Sequence, residues 1–147
     1  MVRAEPQTIF RLAAAVEDWP RLLPHYRWVR LVATDGPLQR TVEMAARRDV
    51  VGPLGLPLRW TAIQTLDPER SRIEFEHVRG ISRGMRVTWT IEPTAVEGEV
   101  RVEIQHVFAS PWPIPDALVH AIVGEYFVNG VARRTLTHLA ALAQSAS

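Results

Sequence analysis

The hydrophobic pattern divides the chain into a helical start, a long run of alternating segments and a helical end. Apolar residues recur at helical spacing from Pro6 to Val16, and Asp18 precedes a second short helix, Trp19 to Leu23, which Pro24 would stop. From Asp116 to about Ala143 the chain contains no proline, and its apolar residues return to helical spacing. The chain is therefore predicted to close with one long helix.

Between these helices the apolar period changes to two, which is the spacing of half-buried β-strands. In the segment from Ser71 to Val78, charged side chains alternate strictly with Ile73, Phe75 and His77. The predicted strands are Tyr26 to Ala33, Arg40 to Val51, Leu58 to Leu66, Ser71 to Val78, Met85 to Glu92 and Glu99 to Phe108. Helices at both ends of an antiparallel run indicate an α+β fold, in which the helices cover one face of a curved sheet.

Length and composition favour one globular domain over residues 1–147, with 47% hydrophobic and 22% charged residues. The net charge of +1 argues against a nucleic-acid partner on electrostatic grounds. Arg3, Glu5 and Arg11 interrupt the segment where a signal peptide needs an apolar core, and the chain has no apolar stretch long enough to span a membrane. We therefore expect a soluble, cytoplasmic protein without stable membrane insertion.

The residue types that are missing exclude several kinds of chemistry. All 17 basic residues are arginine, so a lysine Schiff base and a lysine phosphate loop are excluded. The absence of cysteine excludes thiol nucleophiles, disulfides and cysteine-bound metals, and the five histidines are not clustered at ligand spacing. The sequence therefore predicts no metal and no cofactor, and it leaves the oligomeric state open.

Strand parity predicts which side chains point toward the closing helix, because the two faces of a strand alternate. The inward set, strand by strand, is Val42, Met44, Ala46 and Arg48; Leu58, Trp60, Ala62 and Gln64; Ile73, Phe75 and His77; Met85, Val87 and Trp89; and Val102, Ile104, His106 and Phe108. Four polar side chains on an otherwise apolar face indicate a hollow that holds a ligand. The alternative is that each histidine bonds a neighbour within a packed core, and that the tryptophans simply fill that core.

Short strings along nearly the whole chain point to a known family. They are Ile9-Phe10, Val16-Glu17-Asp18-Trp19-Pro20, Leu23-Pro24-His25-Tyr26, Trp60, Leu66-Asp67-Pro68, Gly80, Arg83-Gly84-Met85 and Thr88-Trp89. Together they resemble the polyketide cyclase/dehydrase group of the START-like (SRPBCC) superfamily. The resemblance implies a helix-grip fold, with a seven-stranded antiparallel sheet around a long C-terminal helix, two short helices after a short first strand, and a deep cavity for a hydrophobic ligand.

One position departs from the pattern that the resemblance implies. In the aromatase/cyclases of this group, the strand that carries the tryptophan places an arginine four residues later, and here that position is Gln64. Glutamine can donate a hydrogen bond but has no permanent charge. Arg48 shares the inward parity on the neighbouring strand, so it is the candidate for a replacing cation. We expect Gln64 to bond an oxygenated ligand.

Two functions are favoured by the sequence, and a protein-interaction or chaperone-like role is a third possibility. The first is binding or transport of a hydrophobic small molecule, such as a lipid, a quinone or a polyketide-like compound, in an internal cavity. The residues predicted to line it are Met44, Arg48, Trp60, Phe75, Met85, Trp89, Ile104 and Phe108, opposite Leu118, Ile122, Tyr126 and Phe127. The alternative is a polyketide cyclase/dehydrase, in which Tyr26 exchanges a proton, His77 or His106 is the general base, and Gln64 or Arg48 stabilises an enolate.

Overall fold

A seven-stranded antiparallel sheet forms the framework of the protein in this computed structural model, which describes residues 2–23, 26–46, 58–80, 82–109, 115, 117 and 132–145. The strands are β1 (Val2–Arg3), β2 (Tyr26–Thr34), β3 (Gln39–Ala46), β4 (Leu58–Asp67), β5 (Arg72–Gly80), β6 (Met85–Pro93) and β7 (Glu99–Phe108). Their spatial order is β1-β7-β6-β5-β4-β3-β2, so consecutive strands are neighbours except that β1 pairs with β7. The predicted bounds of β4 to β7 are correct to within two residues.

Short helices follow β1, and a longer helix ends the chain. Helix α1 (Pro6–Ala14) has proline in its first turn, a single 3-10 turn covers Val16–Asp18, and α2 (Trp19–Leu22) follows directly. The C-terminal helix α3 (Arg133–Ser145) buries Thr135, Leu139 and Ala143, which share one face at a spacing of four residues. The α+β helix-grip prediction is confirmed, whereas most of the predicted helical segment before Arg133 lies outside the described residues.

The concave face of the sheet is apolar and the convex face is polar, as the strand alternation predicts. On β5, Ile73, Phe75 and His77 are buried, whereas Arg72 and Glu76 are exposed. The inward side chains of β3 to β6 join Trp19 and Leu139 in the main core. A smaller cluster, which includes Ile9, Ile91 and Ala143, fixes α1 and α3 against the β1 edge of the sheet. Among the described residues, no helix combines the length and the hydropathy that a membrane span requires.

Gly80 allows β5 to approach β4 more closely than any side chain would permit. Its φ is +102°, and a Cβ at this position would lie 2.6 Å from the carbonyl oxygen of Arg59 and 3.2 Å from Cα of Trp60. Both contacts are with backbone atoms, so neither can be relieved by a side-chain rotation. The missing side chain of Gly80 therefore helps to set the position of Trp60 on the concave face.

We expect Gly80→Ala to lower the free energy of unfolding by about 3 kcal/mol, because left-handed strain adds to a backbone collision. Gly98→Ala is the matched control: Gly98 has a φ of +77°, and a Cβ added there would meet no atom within 4 Å. The control should lose about 1 kcal/mol, from strain alone. Urea unfolding of both variants measures the difference, and equal losses would show that the close approach at Gly80 contributes nothing.

Candidate functional site

A cavity lies between the concave face of the sheet and the start of α3. Its described lining is largely aromatic. The lining residues belong to α2, to six strands, to the first turn of α3 and to Ala132, which precedes α3. The lining residues are Trp19, Tyr26, Met44, Trp60, Phe75, His77, Val87, Trp89, Ile104, His106, Ala132 and Thr135. The cavity volume is about 40 Å³. That is room for water, whereas pockets for drug-sized ligands are typically about 300 to 1,000 Å³.

The aromatic wall is organised around Trp19. The centroid of its ring lies 5.1 Å from that of Tyr26, 6.3 Å from that of Phe75 and 6.2 Å from that of Trp89. Its indole Nε1 donates to the carbonyl oxygen of Leu12 at 2.9 Å, so the polar edge of the ring is satisfied by α1. These three rings are tilted by 41° to 50° against that of Trp19, and together the four form an aromatic surface suited to an apolar molecule.

Tyr26 and Thr135 connect β2 with α3 at the cavity. The hydroxyl of Thr135 donates to the phenol oxygen of Tyr26 at 3.3 Å, and both side chains are buried. Burial raises the pKa of Tyr26 above its usual range, and the hydrogen bond from Thr135 offsets only part of that rise. The phenol therefore remains protonated at neutral pH.

His77 and His106 are the two imidazoles among the described residues that line the cavity. Nδ1 of His77 lies 2.6 Å from Oγ of Ser82, and its ring stacks on Trp60 with centroids 5.8 Å apart and an angle of 11° between the planes. Burial lowers the pKa of His77 to about 3, with a smaller contribution from positive charge on His106, and burial lowers the pKa of His106 to about 4. Both rings are neutral at neutral pH, so no described residue that lines the cavity carries a charge there.

Gln64, which the sequence predicts as a ligand contact, bonds to the protein itself in this structure. Gln64 is fully buried and points inward, but it is not among the described residues that line the cavity. Its Nε2 donates to the carbonyl oxygen of Ala14 at 2.9 Å, and its Oε1 accepts from Nε of Arg40 at 2.6 Å. The guanidinium of Arg40 also donates to Ala14 O at 2.7 Å and forms an ion pair with Glu17. Gln64 thus joins the sheet to the end of α1.

The register of β3 and β4 places Arg40 beside Gln64. Arg40 and Gln64 are directly opposite each other in the β3–β4 ladder. Arg48 lies outside the described residues, and so do the predicted lining residues of the last helix, Leu118, Ile122, Tyr126 and Phe127. The cation that neighbours Gln64 is bound to Glu17 and lines an outer groove, away from the cavity.

Most of the remaining predicted positions meet at the cavity. Tyr26, His77, His106, Met44, Trp60, Phe75, Trp89 and Ile104 all line it. Met85 is instead fully buried in the main core, and Phe108 packs against that core at its border. Sequence reasoning missed Trp19 and Thr135 as lining residues. For Thr135 a signal existed, since it lies one turn before Leu139 on the buried face of α3.

A larger groove, with a volume of about 560 Å³, runs over the surface between α1 and the β2–β3 hairpin. Leu31 and Leu38 on its border are about half exposed. Phe10 is the one aromatic side chain among the described residues that line it, and its Arg40 is already paired with Glu17. The groove therefore lacks the aromatic wall that the described lining of the cavity has.

Comparisons with known proteins agree with this geometry. Residues 2–133 match the model of a family described as polyketide cyclase/dehydrase and lipid transport.

Two curated relatives are granaticin polyketide synthase bifunctional cyclase/dehydratases. The protein from Streptomyces virginiae is 31% identical over 119 residues, which are 80% of this chain and 36% of the relative. The protein from Streptomyces violaceoruber is 29% identical over 146 residues, which are 98% of this chain and 42% of the relative. The chain thus spans less than half the length of these relatives.

Solved structures share the fold at lower identity. The Zhui aromatase/cyclase of a Streptomyces species superimposes with a TM-score of 0.75 at 18% identity, covering 97% of this chain and 88% of the other. A START superfamily protein from Mycobacterium smegmatis gives a TM-score of 0.68 at 15% identity, covering 99% and 94%. At these identities the likeness concerns the fold alone.

We expect Gln64→Met to lower the free energy of unfolding by about 2 kcal/mol, because a buried donor and a buried acceptor lose a partner while the side-chain volume is kept. Gln39→Met is the matched control on the neighbouring strand: Gln39 is exposed and makes one long hydrogen bond, 3.4 Å, to Thr65. The control should stay within about 0.5 kcal/mol of the wild type. Chemical denaturation compares the two, and a loss at Gln64 no larger than that at Gln39 would contradict a structural role for this amide.

Proposed function

The chain belongs to the polyketide cyclase/dehydrase and lipid transport family, and we propose that it binds an uncharged, oxygenated hydrophobic small molecule in the cavity between the sheet and α3. The observation that carries this proposal is the composition of the cavity lining. Aromatic rings form most of the described wall, and the polar groups of its described residues are hydroxyls and neutral imidazoles. An apolar pocket with a few inward polar groups is typical of a small-molecule site.

The electrostatics of the lining favour a neutral ligand. A carboxylate or phosphate buried against these rings would have no described cation beside it, and burying an unpaired charge is strongly unfavourable. Hydroxyl and carbonyl oxygens, in contrast, can bond to Tyr26, Thr135, His77 or His106. A quinone, a polyketide-like aromatic or a neutral lipid combines the apolar surface with such oxygens.

The small volume of the cavity means that a ligand must displace lining side chains. About 40 Å³ cannot hold a bicyclic ring without a change of rotamers. Met44 is an unbranched and adaptable side chain of the wall, so a change of its rotamer can make room for a ligand. Binding of a bicyclic ligand would therefore enlarge the site.

Titration with 1-tetralone, a neutral bicyclic ketone, tests the site through the indole N–H signals of the tryptophans in an NMR spectrum. We expect the signals of Trp19, Trp60 and Trp89 to shift on binding. Trp28 is the internal control, because it lies on β2 outside the cavity lining, with the Arg30 guanidinium 4.7 Å from its ring centroid. Unchanged signals from the three cavity tryptophans at saturating ketone would contradict the proposal.

A pair of variants on β7 separates binding in the cavity from binding elsewhere. Ile104→Phe adds volume inside the cavity, whereas Val107→Phe adds the same ring at a position that is 57% exposed. We expect Ile104→Phe to weaken 1-tetralone binding at least about tenfold, since overpacking opposes entry, and Val107→Phe to leave it unchanged. Equal effects of the two variants would place the ketone outside the cavity.

A second candidate function is cyclisation or dehydration of a polyketide-like substrate. Its support is that Tyr26, His77 and His106 line one cavity and that the curated relatives are named as cyclase/dehydratases. A general base works best with a pKa near the operating pH, whereas burial holds the pKa of His106 at about 4. The low basicity of both imidazoles is why we place binding first.

The test substrate 3-hydroxy-1-tetralone distinguishes the two functions. A base would remove a proton from C2, the C3–O bond would break with loss of water, and the resulting enone would tautomerise to fluorescent 1-naphthol. We expect the protein to bind this compound without accelerating the formation of 1-naphthol. Acceleration that disappears in both His106→Ala and Tyr26→Phe would contradict that expectation and identify an enzyme.

A further inference from the structure

The turn between β5 and β6 brings a buried hydroxyl against His77. Gly84 N donates to the carbonyl oxygen of His77 at 3.0 Å, and Met85 N donates to that of Ser82 at 2.9 Å, so the turn folds back toward the end of β5. Ser82 is fully buried, and its Oγ lies 2.6 Å from Nδ1 of His77. This short contact leaves one question of chemistry, namely which of the two atoms carries the proton between them.

The protons and lone pairs available on the two side chains decide between the two arrangements. A neutral imidazole has one nitrogen with a proton and one without, and a serine hydroxyl has a single proton to donate. Among the described residues, His77 Nδ1 is the one partner of the Ser82 hydroxyl. If Nδ1 carried the proton, the Ser82 hydroxyl proton would be buried without a described acceptor, which is the costly arrangement. The proton between the two atoms therefore belongs to Ser82.

We propose that Ser82 donates to Nδ1 of His77 and thereby fixes the tautomer with the proton on Nε2, which makes His77 a hydrogen-bond donor at the cavity wall. Stacking on Trp60 holds the plane of the ring, and Ser82 holds its rotation within that plane. Because deep burial keeps the ring neutral, the same tautomer is present at neutral pH.

The tautomer determines what chemistry His77 can perform at the cavity. With its proton on Nε2 and its Nδ1 lone pair bound to Ser82, His77 has no lone pair with which to accept a substrate proton, so it is not the general base. Its Nε2–H can instead donate to a carbonyl oxygen. Ser82 acts through His77 and is a positioning residue. This consequence for a carbonyl-bearing ligand rests on the proposed binding function, whereas the tautomer itself does not.

Nitrogen-15 NMR of the labelled wild-type protein at neutral pH tests the tautomer without any ligand. We expect the backbone-assigned His77 ring to show a pyridine-type Nδ1 and a pyrrole-type Nε2. The reverse pattern would overturn the proposal. In Ser82→Ala the protonated Nδ1 form should become populated, while Ser82→Thr keeps the hydroxyl and should keep the wild-type pattern. A Ser82→Ala protein with an unchanged tautomer would show that Ser82 does not set it.

The ligand consequence is tested with 1-tetralone and tetralin, which differ by one carbonyl oxygen. We expect Ser82→Ala to reduce the preference for the ketone about threefold to tenfold, the effect of one neutral hydrogen bond, and Ser82→Thr to preserve it. An unchanged preference in Ser82→Ala would contradict carbonyl recognition by His77. Failure of both compounds to bind the wild type would count against the proposed function, while the NMR pattern would still decide the tautomer.

Discussion

The position of Trp19 is the constraint on which the concave side of the protein depends. Its ring contacts aromatic rings of three strands, of which β5 and β6 are neighbours and β2 lies at the far edge of the sheet, and its Nε1 is bound to the end region of α1. A four-residue helix has little stability of its own, so α2 is held by this packing and by the coverage it gives to the sheet. Trp19 thus fixes the short helices and at the same time forms one wall of the cavity.

Two features leave the described lining of the cavity without charge. Where polar side chains line it, burial holds the imidazoles and the phenol in their neutral forms. Arg40 lies at the end of α1, where it is paired with Glu17 and bonded to Gln64. It lines the outer groove instead of the cavity. The described lining can bond oxygen atoms and carries no charge, and this is the physical basis for proposing a neutral ligand.

The sequence predicted the sheet well because a period of two is a local signal, and each strand carries it independently. Strand parity correctly turned Trp60, Phe75, His77 and Trp89 toward one face. Parity alone could not predict which inward side chains reach the cavity, since Gln64 and Met85 face inward and yet lie outside its lining. Hairpin register carried the missing information, because it sets Arg40 opposite Gln64 and explains the role of that amide.

Other features depend on tertiary contacts that no local pattern encodes. Trp19 belongs to a helix too short for any periodicity, and the bond between Thr135 and Tyr26 joins residues 109 positions apart. The turn between β5 and β6 places the Ser82 hydroxyl beside His77. The hydrogen-bond partner of this hydroxyl can be identified only in the folded structure.

The location of the ligand is the central claim, and intermolecular nuclear Overhauser effects test it most directly. In a complex with 1-tetralone, the account predicts contacts from the ketone to the methyl groups of Met44 and Ile104, which line the inner cavity. Contacts to the methyl groups of Leu31 and Leu38, which line the outer groove, would contradict it.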